Sequence, residues 1–364
     1  MNRRKLICKK LNHNTLKNKY YPLVFALLFS WALQAQDIHY SQFYNAPLSL
    51  NPAMTGVFGG DVRLMGNYRQ QWSPWVNYLT FSGAIDKKFY PKAPRNGFFS
   101  GGLTFNYDEA GDSKLQNIHL GLNGSYTQKL TDHAYITLGA VVSGNQRGFK
   151  QGALTFDQQF DEDRGQFFDN LGTGENFGNT TQFFLDVGTG INFRIQELSD
   201  AELVDEQKYR SKLDVGIGIY HLTTPNQSFF EGVESPLFTR YSPYIAGTIQ
   251  LGRESPLDVV THFNGQLQGP YEEWLAMVGL KIHLETTPGR QFSIQPGVGY
   301  RFDEFGDAYY PTLEVNYRAW QVGLSWDVNV SEFQVVTNRN GGPEISVRYI
   351  FSKPLPKFKI CPLI

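Results

Sequence analysis

The stretch FFLDVGTGINFR, residues 183–194, decides the fold. Phe183, Leu185, Val187, Thr189, Ile191 and Phe193 fall on one side of an extended chain, and Asp186, Gly188, Gly190, Asn192 and Arg194 on the other. A period of two marks a strand with one apolar and one polar face. The pattern recurs outward in both directions. In LQNIHLGLNGSYTQK (115–129), Ile118, Leu120, Leu122, Gly124 and Tyr126 oppose Asn117, His119, Gly121, Asn123 and Ser125. Ala134, Ile136, Leu138, Ala140 and Val142 oppose Thr137, Gly139 and Ser143, while Leu213, Val215, Ile217 and Ile219 oppose Asp214, Gly216 and Gly218. Strands of soluble proteins average about 5–6 residues. These runs are longer, which favours a transmembrane barrel over a sandwich.

Fourteen strands are predicted, at 62–70, 76–89, 97–107, 115–130, 133–149, 182–195, 211–222, 238–251, 256–267, 271–284, 290–302, 307–317, 319–330 and 343–351. An even count suits a single-chain bacterial barrel. With both ends in the periplasm, 130–132, 252–255, 285–289 and the Arg318 corner become short periplasmic turns. The long outer loops are then 150–181, 223–237 and 331–342. The connection near 196–210 is longer and more charged than that rule expects. Composition agrees: 28 Phe, 20 Tyr and 36 Gly coexist with a mean hydropathy of −0.35. The last strand, 344–351, ends on Phe351, and a tail rich in Pro and Lys follows.

The N-terminus reads as an export signal. Arg3, Arg4, Lys5, Lys9, Lys10, Lys17 and Lys19 precede an apolar run from Tyr20 to Leu33, and Ala35 supplies the small residue before cleavage. The run is shorter than the roughly 20 residues that span a bilayer. The chain therefore divides into a signal peptide (1–35), an N-terminal lead-in (36–60), an outer-membrane barrel (61–351) and a short tail (352–364). Without the signal, 26 Lys+Arg face 34 Asp+Glu, a net charge of −8 that argues against a nucleic-acid partner. Cys361 is then the one cysteine left, so no intramolecular disulfide is expected.

Chemistry-bearing motifs are missing. The sequence has no Gly-x-Ser-x-Gly, no HExxH and no paired CxxC, so no catalytic residue, metal or cofactor is expected. Asp132-His133 falls in a short turn, a poor place for catalysis. His221 ends a strand at the outer rim and reads as structural. Asp157, Asp161, Glu162, Asp163 and Asp169 cluster acidic oxygens, but their spacing is not that of a calcium loop and a solvated loop explains them.

One block carries a family resemblance. QDIHYSQFYNAPLSLNPAMTG (36–56), followed by VRLMGNYRQQWSPW (62–75) and YLTFSGAID (78–86), resembles the start of the PorP/SprF family of the type IX secretion and gliding systems of Bacteroidota. The signature positions are Gln36, Asp37, Ser41, Gln42, Phe43, Leu50, Asn51, Pro52, Ala53, Gly56, Asn67, Tyr68, Arg69, Gln71 and Trp72. LTFDQQFD (154–161), GIYHLTTPNQSFF (218–230) and GLKIHL (279–284) extend the likeness across the mature chain. The resemblance implies a non-enzymatic outer-membrane protein that docks exported cargo or a surface adhesin to the secretion machinery. A passive or substrate-specific porin is the alternative, since a lumen lined by Asn, Gln, Thr, Ser and Gly is wettable. Lipid of the outer membrane is the surrounding partner.

Residues 36–60 are expected either to fold into the periplasmic mouth as a partial plug or to lie as an ordered arm beside the barrel. Asn51-Pro52 favours a turn, and Tyr40, Phe43 and Tyr44 offer anchors. Ser41, Gln42, Phe43, Tyr44, Asn51, Pro52, Arg69 and Trp72 are the candidate plug or partner contacts. Arg69, with Trp72 and Trp75, also reads as part of an interfacial aromatic belt.

Overall fold

The structure is a computed structural model that describes residues 37–72, 78–89, 96–161, 164–168, 170–174, 179–197, 209–230, 232–303, 308–331 and 334–352. The expected signal peptide (1–35), Trp75, Glu162, Asp163, Asp169, Cys361 and the tail beyond Ser352 lie outside the described residues.

Fourteen antiparallel strands close into one barrel. They are β1 (Val62–Gln71), β2 (Tyr78–Phe89), β3 (Gly97–Ala110), β4 (Leu115–Lys129), β5 (Ala134–Gly148), β6 (Thr181–Gln196) and β7 (Lys212–Tyr220). β8 (Arg240–Gln250), β9 (Leu257–Gln268), β10 (Tyr271–Glu285), β11 (Phe292–Asp303), β12 (Ala308–Tyr317), β13 (Trp320–Asn329) and β14 (Asn340–Phe351) complete the wall. Each strand pairs with its neighbours in sequence, and β14 closes on β1 in the register Val62↔Phe351 to Arg69↔Glu344. The predicted count and order hold.

Alternation sets the two faces. Leu64, Phe81, Leu120, Leu185, Ile245, Val278 and Leu324 are exposed on the outside, whereas Arg69, Asp86, Asn123, Asn192, Asp214, Gln295 and Glu344 are buried inside. An apolar exterior around a polar interior is a bilayer-spanning arrangement, because lipid replaces water outside and closure leaves no unpaired edge. Aromatic pairs ring both rims. Trp320 meets Tyr349 at 4.7 Å and Phe292 meets Tyr317 at 6.4 Å at one end, with Phe263–Trp274 at 5.4 Å and Tyr300–Phe302 at 4.6 Å at the other.

The two ends differ in their connections. One, the turn end, carries 90–96, 130–133, 197–211, 251–256, 286–291 and the two-residue Arg318 corner, where Arg318 adopts φ 55. The other, the loop end, carries the longest connections, 149–180 and 221–239, the first containing a small hairpin of Phe160–Asp161 with Gln166–Phe167. The loop end also has tight connections at 111–114 and 269–270. Short turns are therefore not confined to one side, contrary to the simple rule. At Gly269, φ 58 permits a two-residue turn wherever it falls.

Candidate functional site

The lumen holds residues 38–60. Three short turns give this segment its shape: 3₁₀ turns at Phe43–Asn45 and Pro52–Met54, and one α-turn at Pro47–Leu50. Proline opens two of them, where its missing N–H costs nothing and its fixed φ suits the turn. Asn51 is held extended ahead of Pro52, at φ −156 and ψ 124. Its side-chain oxygen accepts from the Ala53 N–H at 2.8 Å, which caps the second 3₁₀ turn. Its Nδ2 donates to the Ile191 carbonyl at 2.9 Å and to the Tyr244 hydroxyl at 3.2 Å. One side chain therefore shapes the segment and ties it to β6 and β8.

The wall beneath this turn is bare. Gly139, Gly190 and Gly218 stand opposite one another across β5, β6 and β7, with Ser125 and Ser242 continuing the row. A Cβ on Gly139 would come within 2.4 Å of the Ala53 nitrogen, one on Gly190 within 1.9 Å of Asn51 Oδ1, and one on Gly218 within 2.3 Å of the Leu50 carbonyl. Each approach is too close for any side chain, so the row is a groove for residues 50–53. Ser125 Oγ then donates to the Thr55 carbonyl at 2.7 Å.

Elsewhere the contact is apolar. Phe43, Leu48, Leu50, Met54 and Val57 pack with Met65, Tyr244, Leu275, Met277 and Tyr310 into a hydrophobic cluster inside an otherwise polar lumen. Each large side chain so buried contributes roughly 1.5–3 kcal/mol. Tyr44 stacks on His262 at 4.4 Å.

Charges fix both ends of the segment. Toward the loop end, Arg69 donates from Nη1 to the His39 carbonyl (2.7 Å) and from Nη2 to Asp327 (2.7 Å). Arg301 reaches the same Asp327 at 2.8 Å and faces Glu273 at 3.4 Å. Glu344 accepts from two consecutive backbone N–H groups, Ser41 at 2.8 Å and Gln42 at 2.9 Å, and Ser41 Oγ donates to Asp327 at 2.7 Å. Toward the turn end, Arg63 pairs with Asp86 at 2.7 Å and donates to the Met54 carbonyl at 3.0 Å, while Gly56 N–H donates to Asp86 at 2.8 Å. Phe58 lies against Arg63 (4.6 Å) and Lys88 (4.7 Å), and Lys88 donates to its carbonyl.

Ser41, Gln42, Phe43, Tyr44, Asn51, Pro52 and Arg69 are thus brought together within the lumen. Trp72 is not among them; it sits at the end of β1 with φ 54 and its ring 6.1 Å from Tyr78. Two expectations are corrected. Arg69 points inward and is 1% exposed, so it is no part of an interfacial belt. The segment is not confined to one mouth: His39 meets Arg69 near the loop end and Phe58 meets Lys88 at the turn end, so the chain traverses the lumen. Asp327, Glu344, Arg301, Glu273 and the glycine row escaped sequence reasoning. Their one sequence signal is parity, since all fall on the inward face of their strands.

Other candidates resolve simply. His221 Nδ1 lies 2.7 Å from Asp186 in a left-handed turn at φ 58, a structural tie between β6 and the end of β7. Asp132 pairs with Lys129 at 2.8 Å, and this ammonium holds its carboxyl below the usual range. Among the described residues no group of three or more His, Cys, Asp or Glu is arranged to hold a metal.

With this geometry in place, a family assignment has a structural frame. The model of the type IX secretion system membrane protein PorP/SprF matches residues 32–349. The chain belongs to the PorP/SprF family. No curated protein matches it. Among solved structures, it is similar to a Pseudomonas aeruginosa FadL homologue at 12% identity, over 83% of this chain and 93% of that one, with a TM-score of 0.47. It is similar to the CymD monoaromatic hydrocarbon channel at 8% identity, over 85% and 93%, with a TM-score of 0.47. BamA from Haemophilus ducreyi lacking POTRA domains 1–3 is similar at 7% identity, over 80% and 70%, with a TM-score of 0.42. These are likenesses of barrel to barrel and carry no argument about what this lumen does. Membership in a type IX secretion membrane family, on a closed barrel with an apolar exterior, fits an outer-membrane protein and a non-enzymatic role.

Proposed function

We propose that this PorP/SprF protein is a docking component of the type IX secretion system. It is exported by a cleaved signal peptide and its lumen is closed by its own residues 38–60. Exported cargo or a surface adhesin is held to the machinery at the barrel's exposed ends, and no chemistry is performed. The observation that carries this reading is the occupied lumen. A segment bonded to β1, β2, β4, β6, β8, β13 and β14 stands where a diffusion pathway would run. A porin needs that path open.

Purification of the tagged protein from its native membrane, in mild detergent, tests the docking role. Secretion components or an exported adhesin are expected to co-purify in stoichiometric amounts. Purification of the barrel alone, together with steady ion conductance after reconstitution, favours the channel instead.

A further inference from the structure

The path of the luminal segment decides which mouth its amino end faces. It begins at the loop end. Arg240, the first residue of β8, donates to the Ile38 carbonyl at 3.4 Å, and Arg69, near the loop end of β1, donates to the His39 carbonyl at 2.7 Å. The His39 ring lies 4.0 Å from Glu273, the third residue of β10 after the tight connection at 269–270. From there a first leg descends. Ser41 and Gln42 meet Glu344 on β14, and Asn45 donates to Ser346 at 3.0 Å. Asn45 also accepts, at 2.9 Å, from Gln321, the second residue of β13 after the turn-end Arg318 corner.

A second leg climbs back. The Leu48 carbonyl accepts at 2.7 Å from Tyr220, the last residue of β7, and the Ser49 carbonyl accepts from Arg240 Nη2 at 2.9 Å. One guanidinium thus holds the start of the first leg and the top of the second. The third leg runs down the glycine groove, past Ile191 and Ser125 to Arg63 and Asp86, and hands the chain to β1. Asp61 N–H donates to the Phe351 carbonyl at 2.9 Å, so the wall starts and finishes together at the turn end. Three legs are an odd number. The segment therefore starts at the mouth opposite the one where β1 begins.

That mouth is the outer one, because it carries the longest connections, 149–180 and 221–239, and outer-membrane barrels keep their longer loops outside. The lumen behind Ile38 is filled by the buried side chains of Tyr40, Phe43 and Leu48, which blocks a return toward the periplasm. Residue 37 follows within about 3.8 Å, Cα to Cα, by the trans peptide bond alone.

We propose that the amino-terminal end of the exported chain emerges at the loop-end mouth, so that the residues ahead of Ile38 are an extracellular contact point on a segment that otherwise lies inside the wall. The class of partner follows from the side. A protein displayed at the cell surface can engage this end, and a soluble periplasmic component cannot. The inference goes beyond the docking role, and the position of the end does not depend on whether cargo is held there.

The test labels cysteines on whole cells with a membrane-impermeant maleimide, in the full chain carrying Cys8→Ser and Cys361→Ser. Asp37→Cys is compared with Glu234→Cys in the 221–239 loop and Glu254→Cys in the 251–256 turn, two exposed positions at opposite ends. Asp37→Cys is expected to react on intact cells as fully as Glu234→Cys, whereas Glu254→Cys reacts only after permeabilisation. A second variant carries an epitope of about ten residues between Gln36 and Asp37, which reaches roughly 33 Å when extended. Antibody is expected to stain it on intact cells, and it alone decides if Asp37→Cys is unreactive under both conditions. Heat-shifted gel mobility verifies that each variant is a folded barrel. Detection of residue 37 and of the epitope only after permeabilisation, or reaction of Glu254→Cys in place of Glu234→Cys on intact cells, would overturn the proposal. Co-purification does not enter this readout, so a failed docking role and a misplaced end are told apart.

Discussion

Arg69 meets Asp327, Glu344 and the His39 carbonyl at 1% exposure, and Arg301 completes the cluster from β11. Two guanidinium groups here share Asp327, so its removal takes the shortest carboxylate contact from both and leaves Glu344 at 3.7 Å from Arg69 and Glu273 at 3.4 Å from Arg301. Losing a hydrogen bond to a charged group costs about 1.5–3 kcal/mol. Asp327→Asn is therefore expected to lower the urea midpoint of the protein in detergent micelles clearly, and an unchanged midpoint would contradict the cluster's role. At Gly190 the constraint is steric. Gly190→Val suits a strand but places its side chain where Asn51 Oδ1 now sits. The barrel is expected to keep its heat-shifted gel mobility while protease gains access to residues 38–60. A variant as resistant as the wild type would mean that the glycine groove does not seat the segment.

The luminal segment behaves as one element because each short turn leans on the next. Asn51 caps Pro52–Met54 and bridges two strands, so its loss acts on the whole segment. Asn51→Ala removes a cap worth about 0.5–2 kcal/mol and leaves buried partners unsatisfied at about 1–3 kcal/mol. Backbone amides of residues 41–56 are expected to exchange with deuterium faster while strand amides stay protected. Unchanged exchange would show that the cap does not hold the segment. The strands were legible because alternation is local: every residue of β6 declares its face through its two neighbours. The path of the segment was not, because its partners are remote. Ser41 meets Glu344 and Asp327, some three hundred positions away. The glycine row exists only once β5, β6 and β7 are in register. The belt reading of Arg69 fails for the same reason, since Trp72 and Trp75 suggest a rim while its partners lie on β13 and β14.

At the scale of the molecule, a polar lumen is a place for water unless something fills it. Here an apolar patch of Met65, Tyr244, Leu275, Met277 and Tyr310 interrupts the polar lining where Phe43, Leu48, Leu50, Met54 and Val57 come to rest. A wall built for bulk water has no use for such a patch, and a wall built for an internal segment does. Single-channel recording in planar bilayers, comparing the full chain with a variant lacking residues 38–58, tests this most directly. With the lumen closed from within, the full chain is expected to stay silent and the deletion to conduct steadily. Steady conductance by the full chain, or equal silence from a correctly folded deletion variant, would contradict it.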